Sequence, residues 1–184
     1  HPEGYVSFVR AEFDREPEEI RLRLLGRALA GIGSAGEPRL ARLEGLLARL
    51  RAERLSATQQ GCIVEADPER ILILREPGRR GLPALVLAPG RDGVWDGRFG
   101  VAVAADAPAG VKVRALGNAP DPAALADQMR AARAPRAALR SAPGAWAGET
   151  LIAAPALGLT SMSVAMEHLV GPTLKSRADA PGEA

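Results

Sequence analysis

The sequence predicts an α+β fold: an N-terminal helical hairpin followed by a mixed, mainly antiparallel β domain with short helices. Three observations predict it. Apolar residues recur at helical spacing from Ile20 to Leu50. Short apolar runs then alternate with Asp-Pro and Asp-Gly dipeptides from Cys62 to Leu116. After Asp121 the pattern turns helical again, and Pro135 interrupts it.

Taken in order, Tyr5, Phe8 and Val9 follow Gly4 as a short strand or arm. Pro17 sits where a helix can start, with Glu18 and Glu19 suited to the positive end of its dipole. Ile20, Leu24, Leu25, Leu29 and Ile32 form the stripe of that helix, and Gly31, Gly33 and Gly36 end it. Pro38 opens a second helix lined by Leu40, Leu43, Leu46, Leu47 and Leu50. Ser56 to Gly61 is polar and reads as a link. Cys62 to Val64 runs into the Asp67-Pro68 turn, and Ile71 to Leu74 reads as a mostly buried strand that Pro77, which lacks an N–H, terminates. Leu82 to Ala88, Phe99 to Ala104 and Val111 to Leu116 continue a meander, with Asp92-Gly93 and Asp96-Gly97 as turns. Asp121 is the N-cap of a helix from Pro122, and Pro135 splits that region into two short pieces. Pro143-Gly144 reads as a turn anchored by Trp146, Leu151 to Ala154 as a strand, and Ser161 to Val170 as the last strand. The expected organisation is a helical, substrate-binding-like domain at 1–57, a mixed α+β domain at 58–174 and a flexible tail at 175–184.

Composition narrows the function classes. Of 184 residues, 47% are hydrophobic but only 3% aromatic, so a core must rest on Leu, Val, Ile and Ala. The formal charge of +2 does not by itself argue for nucleic acid. Its distribution is more telling. The first 19 residues carry six acids and two arginines, whereas Ile20 to Arg54 carries eight arginines and three glutamates. The basic side is nearly all arginine, the only lysines being Lys112 and Lys175. Arginine suits bidentate phosphate contact, although a GC-rich genome also enriches Arg, Ala, Gly and Pro. Cys62 is the only cysteine, which excludes an internal disulfide and fits a reducing compartment, the cytoplasm. No apolar run approaches the length of a membrane span. The chain begins at His1 without an initiator Met, which suggests a fragment or a processed product.

No catalytic constellation emerges. A Walker-type phosphate loop is absent, and the loose glycines from Gly26 to Gly36 fit a helix end and link better. His168 stands alone beside Glu167, poor evidence for a metal site. Ser161, His168 and Asp179 lack the nucleophile elbow that would make them a triad. Asp92 and Asp96 are explained as turn residues, and Cys62, which opens a strand, as a structural buried thiol. Two clusters remain. Arg75-Glu76-Pro77, followed by Arg79 and Arg80, is either a solvated rim or a phosphate-contacting surface, with Glu76 pairing to Arg75 or Arg98. Trp95-Asp96-Gly97-Arg98-Phe99 reads as two aromatics packed across a tight turn, with base stacking on Trp95 as the sharper alternative. Arg39, Arg42 and Arg49 lie mostly off the leucine stripe, as a solvated face or an RNA-facing one.

The order of these signatures resembles the region that follows the catalytic domain of bacterial tRNA(Ile)-lysidine synthetase, alphaproteobacterial type. Leu24 to Leu29 and Pro38-Arg39-Leu40 look like its helical pair. Gly61-Cys62 and Arg75-Glu76-Pro77 look like its Gly-Gly-Cys and Arg-Glu-Pro runs, and Trp95 to Phe99 matches its Trp-Asp-Gly-Arg-Phe signature. Leu151 to Leu157 resembles the stretch ending in Ala-Ala-Pro-x-Leu-Gly. The resemblance spans Pro2 to Leu159, with one departure: Gln59-Gln60 stands where the family has Leu-Gly. It implies a part of an enzyme that joins lysine to the wobble cytidine of tRNA(Ile) with a CAU anticodon, through an adenylated cytidine. The family's Ser-Gly-Gly-x-Asp-Ser loop does not occur here, so ATP and Mg2+ are expected in an N-terminal ATP-pyrophosphatase domain and no cofactor in this chain. The implied role is tRNA docking without catalysis, with Arg39, Arg42, Arg49, Arg75, Arg79, Arg80 and Arg98 as the contacts. Membrane and DNA are not expected as partners, and a homodimer stays open. The alternative is a structural or protein-interaction module without RNA affinity.

Overall fold

The computed structural model describes residues 1–33, 36 and 38–169. Val170 and the tail expected at 175–184 lie outside the described residues. The chain opens with β1 (Val6–Val9), α1 (Arg10–Arg15), α2 (Glu18–Ile32) and α3 (Leu40–Arg49). A hairpin of β2 (Leu55–Gln59) and β3 (Cys62–Ala66) follows, then β4 (Arg70–Arg75). These four strands form an antiparallel sheet in the order β1-β4-β3-β2.

The helical pair is present, and it does not stand apart from the sheet. Leu25, Leu29 and Ile32 of α2 and Leu43, Leu46 and Leu47 of α3 share one core with Cys62, Val64, Ile71 and Ile73. Ser56 to Gly61, expected as a link, is mostly strand: Ser56 pairs with Glu65 and Thr58 with Ile63. Its polar residues misled because β2 is an edge strand, with Ser56 and Thr58 turned to solvent. A division after residue 57 runs through the middle of this strand. α1 had no counterpart in the sequence reading, since one turn and a half leaves only Phe13 buried.

The second half contains β5 (Leu85–Leu87), β6 (Asp92–Trp95), β7 (Phe99–Val103), β8 (Val111–Ala115), α4 (Pro122–Ala131), α5 (Arg136–Ser141), β9 (Pro143–Ala147), β10 (Thr150–Ala153) and β11 (Val164–His168). Its strands form two antiparallel sheets, β10-β9-β8-β5 and β11-β7-β6. Leu87, Val111 and Val113 from one sheet and Trp95, Phe99 and Val101 from the other fill a common core. The α+β class thus holds, with the helices before the β-rich half and between β8 and β9. Asp121 caps α4, accepting from the N–H groups of Ala123 at 3.0 Å and Ala124 at 3.2 Å.

Two expected turns are strands. Asp92-Gly93 lies in β6, paired with Ala102 and Val101. Gly93 is there for space: a Cβ would sit 3.1 Å from Leu87 Cδ2. Pro143-Gly144 opens β9, where Gly144 lies against the Trp146 ring. Among the described residues no helix is long and apolar enough to cross a membrane.

The two halves are joined by packing. Ala138 of α5 is buried with Tyr5, Leu72 and Leu74, on the face of the first sheet opposite α2 and α3. β4 is therefore covered on both sides. That explains why Ile71 to Leu74 runs apolar without alternation.

Candidate nucleic-acid interface

The seven arginines nominated from sequence fall into two groups. Arg75 and Arg98 are interior residues, 7% and 1% exposed. They meet on Asp96, which neither cluster had marked as a partner. Arg75 holds Asp96 in a fork, with Nε on Oδ2 and Nη2 on Oδ1, both at 2.9 Å. Arg98 donates Nε to Asp96 Oδ2 at 2.8 Å. The remaining donors reach backbone carbonyls. Arg75 Nη1 bonds Gly61 at 2.9 Å and Glu76 at 3.0 Å. Arg98 Nη1 bonds Gly4 at 3.1 Å, and its Nη2 bonds Ser141 at 2.8 Å.

Two guanidinium groups and one carboxylate leave one buried positive charge over, and these four carbonyl dipoles answer it. Burial lowers the Arg98 pKa from its ordinary value, against the pull of Asp96. The Arg98 guanidinium carbon also lies 5.1 Å from the Phe99 ring centroid and 5.9 Å from that of Trp95, within cation–π range. Neither arginine presents its charge to a partner at the surface. Glu76 contributes only its backbone here, so the pairing expected of its side chain belongs to Asp96.

Local backbone explains how Asp96 gets there. Asp96 and Gly97 both have left-handed φ, +52° and +68°, and Arg98 N–H closes the turn on Trp95 O at 3.1 Å. From that turn the Asp96 carboxylate reaches both Arg75 and Arg98. Trp95 and Phe99 then pack across it, ring centroids 6.0 Å apart. Trp95 is 1% exposed and its Nε1 donates to Pro83 O at 2.8 Å, so it offers no stacking face. The Gln60-Gly61 turn is similar, with φ of +57° and +72°. Here Gln60 takes a conformation that glycine adopts freely, at the position where the family pattern has Gly. Its side chain donates to Gly36 O at 3.3 Å.

Cys62 pairs with Arg75 in the sheet and is fully buried. Burial pushes its thiol up to about 12 despite Arg75 and Arg98, which makes it inert at neutral pH. His168 stacks at a tilt on Phe99 with centroids 4.9 Å apart, and its Nε2 is buried without a partner. Burial, then the nearby Arg98 charge, holds the imidazole down at about 4.

The other five candidates are exposed: Arg39, Arg42, Arg49, Arg79 and Arg80. Arg42 and Arg49 lie seven residues apart, on one side of α3 beside its buried leucines. Arg79 and Arg80 occupy the loop after β4. A further basic surface lies outside the seven nominated arginines. Arg130, Arg136 and Arg140 border a recess of about 590 Å3 whose floor includes Leu116 and Met129. Pro135 had hidden it, because the recess forms between α4 and α5 and not along one helix. Among the described residues no group of three or more His, Cys, Asp or Glu is placed to hold a metal.

Comparison with curated proteins gives relatives of one kind. The chain is 39% identical over 118 residues to the tRNA(Ile)-lysidine synthase of Caulobacter vibrioides, a match covering 61% of this chain and 29% of that protein. It is 34% identical over 162 residues to the tRNA(Ile)-lysidine synthase of Ruegeria pomeroyi, covering 86% and 36%. It is 33% identical over 102 residues to that of Wolbachia pipientis, covering 54% and 24%. The chain thus spans between 24% and 36% of the length of these relatives. No family model matches it, and no solved structure matches it.

Proposed function

We propose that this chain, a relative of the tRNA(Ile)-lysidine synthases, is the tRNA-docking and positioning part of such an enzyme. The full-length form would ligate lysine to the wobble cytidine of tRNA(Ile) bearing a CAU anticodon. An N-terminal ATP-pyrophosphatase domain would bind ATP and Mg2+ there and form the adenylated cytidine. This chain would hold the tRNA while that chemistry proceeds. The observation that carries the reading is the exposure of Arg39, Arg42 and Arg49 along the helical layer, supported by Arg79 and Arg80. Such side chains would meet backbone phosphates and position the tRNA, since phosphate contacts carry no sequence information.

The test is a tRNA titration across salt concentrations, with the wild-type chain and the Arg42→Ala/Arg49→Ala double variant. Each lost phosphate contact removes about 0.7–0.9 from the slope of log affinity against log salt. The double variant should bind more weakly and lose roughly 1.5 from that slope. Unchanged affinity and slope would remove α3 from the interface. A wild-type chain without tRNA affinity would favour the interaction-module reading. One observation supports that alternative: Leu40, 60% exposed, borders an apolar recess between α2 and α3 with Leu22 and Leu43.

A further inference from the structure

The recess between α4 and α5 combines two chemistries in one cavity. Its floor is Leu116 and Met129, with Pro122 and Ala126 beside them. Leu116 and Met129 pack in one cluster with Leu125, Ala142 and Trp146, so the floor is held in place by the core. The back wall is a close approach. The single helical turn Leu116–Asn118 runs against α5, and a Cβ on Gly117 would lie 2.8 Å from the Arg140 carbonyl oxygen and 3.4 Å from its Nε. The missing side chain at Gly117 lets Arg140 lie across that wall. Arg130 and Arg136 complete the rim, and no acid lines the recess. Arg130 pairs with Asp127 at the surface. Among the described residues neither Arg136 nor Arg140 has a carboxylate partner. At about 590 Å3 the cavity falls within the roughly 300–1,000 Å3 of small-molecule sites.

An apolar floor under a cationic rim selects a ligand with an apolar face and an anion at one end. Inorganic phosphate would leave the floor wet. An apolar peptide would leave the arginines without a counter-charge. A nucleotide answers both. Its ring can lie on Leu116 and the Met129 thioether, a soft partner for aromatic rings. Its phosphate then meets guanidinium groups, which suit it in geometry and charge. Inside an RNA helix the faces of a base are covered by its neighbours, so an unpaired base is the one that can present a face to a recess. Position points the same way. A Cβ on Gly81 would lie 2.7 Å from Asn118 Nδ2, so the loop that carries Arg79 and Arg80 abuts the same helical turn. The recess is therefore continuous with arginines proposed above to meet tRNA phosphates.

We propose that this recess receives one unpaired nucleotide of the bound RNA, with the base on the Leu116–Met129 floor and the phosphate at Arg136 and Arg140. The inference rests on the tRNA-docking reading. It adds a contact to a base, where the arginines of the helical layer contribute phosphate contacts alone.

The experiment compares two RNA hairpins with the same stem, one blunt and one with a short unpaired 3′ end. The readout is the ratio of their affinities for the intact chain, which cancels the general attraction of a basic surface for RNA. The proteins are wild type, Ala126→Phe, Arg136→Gln and Arg133→Gln. Ala126→Phe fills the floor and keeps the rim, whereas Arg133 is exposed and does not line the recess. Wild type should prefer the unpaired end by roughly tenfold. Ala126→Phe should abolish the preference, Arg136→Gln should cut it about threefold, and Arg133→Gln should leave it unchanged. Arg136 is exposed, so its variant decides the matter even if Ala126→Phe fails to fold. Equal binding of the two hairpins by wild type, or a preference that survives in both recess variants, overturns the site and leaves the docking reading standing. A wild type that binds neither hairpin overturns the docking reading and this contact with it. Titration with uridine monophosphate separates the sources. Binding that Ala126→Phe abolishes, with no preference between hairpins, would make the recess a free-nucleotide site and overturn the RNA contact.

Discussion

Asp96 shows how one residue can determine what two others are for. Its carboxylate is 4% exposed and holds both Arg75 and Arg98. Truncating it would leave two guanidinium groups buried without their counter-charge. Asp96→Ala should therefore cost about 3–5 kcal/mol in urea unfolding. A loss below about 1 kcal/mol would mean that the carbonyls suffice, and the ion pairs are incidental. His168 gives a pH signature. Its folded pKa is about 4, below the ordinary 6.5, so the unfolded chain binds the proton more readily. Its contribution is fully present above pH 6.5 and is lost as pH falls toward 4. The His168→Gln variant should show a shallower fall in stability over that window than wild type, and parallel curves would sink the assignment. At this scale the sequence was informative about residue type and silent about pairing. The turn at Asp96-Gly97 and the buried Cys62 were legible. That Asp96 closes on an arginine 21 positions earlier was not, because only the fold brings them together.

Elements were legible where periodicity or capping was strong. α2 and α3 announced themselves by their leucine stripes, and α4 by Asp121 followed by proline. Removing that cap with Asp121→Ala should cost about 1 kcal/mol, measured by denaturant midpoint, because the first-turn donors of Ala123 and Ala124 lose their acceptor. An unchanged midpoint would show that water replaces the cap without loss. Misreadings cluster at glycines and polar runs. Gly93 and Gly144 suggested turns, yet they sit in strands because a neighbouring side chain occupies the space of a Cβ. At Gly144 that space belongs to the Trp146 ring, 2.6 Å from the Cβ position. Ser56 and Thr58 suggested a loop, yet an edge strand needs apolar residues on one face only. Backbone need and side-chain room look identical in a string of letters.

For the whole molecule, the class was legible and the union of its halves was not. Composition and pattern gave helices followed by strands, but nothing in a local window says that α5 covers the outer face of the first sheet. Ala138→Glu would place a charge at a fully buried contact with Leu72 and Leu74. It should cost more than about 3 kcal/mol. In hydrogen exchange, the amides of β4 and α5 should lose protection together. Loss confined to α5 would mean that the first half holds without the second. The same contact bears on how the chain is made. When Arg75 has been synthesised, β1, β4, β3 and β2 can already pair, but the helix that shields Leu72 and Leu74 is still roughly 60 residues away. At about 5–20 residues per second, a ribosome needs on the order of 3–13 s to supply it. During that interval a nascent chain displays an apolar sheet face, the kind of surface that chaperones bind, until the second half arrives to cover it.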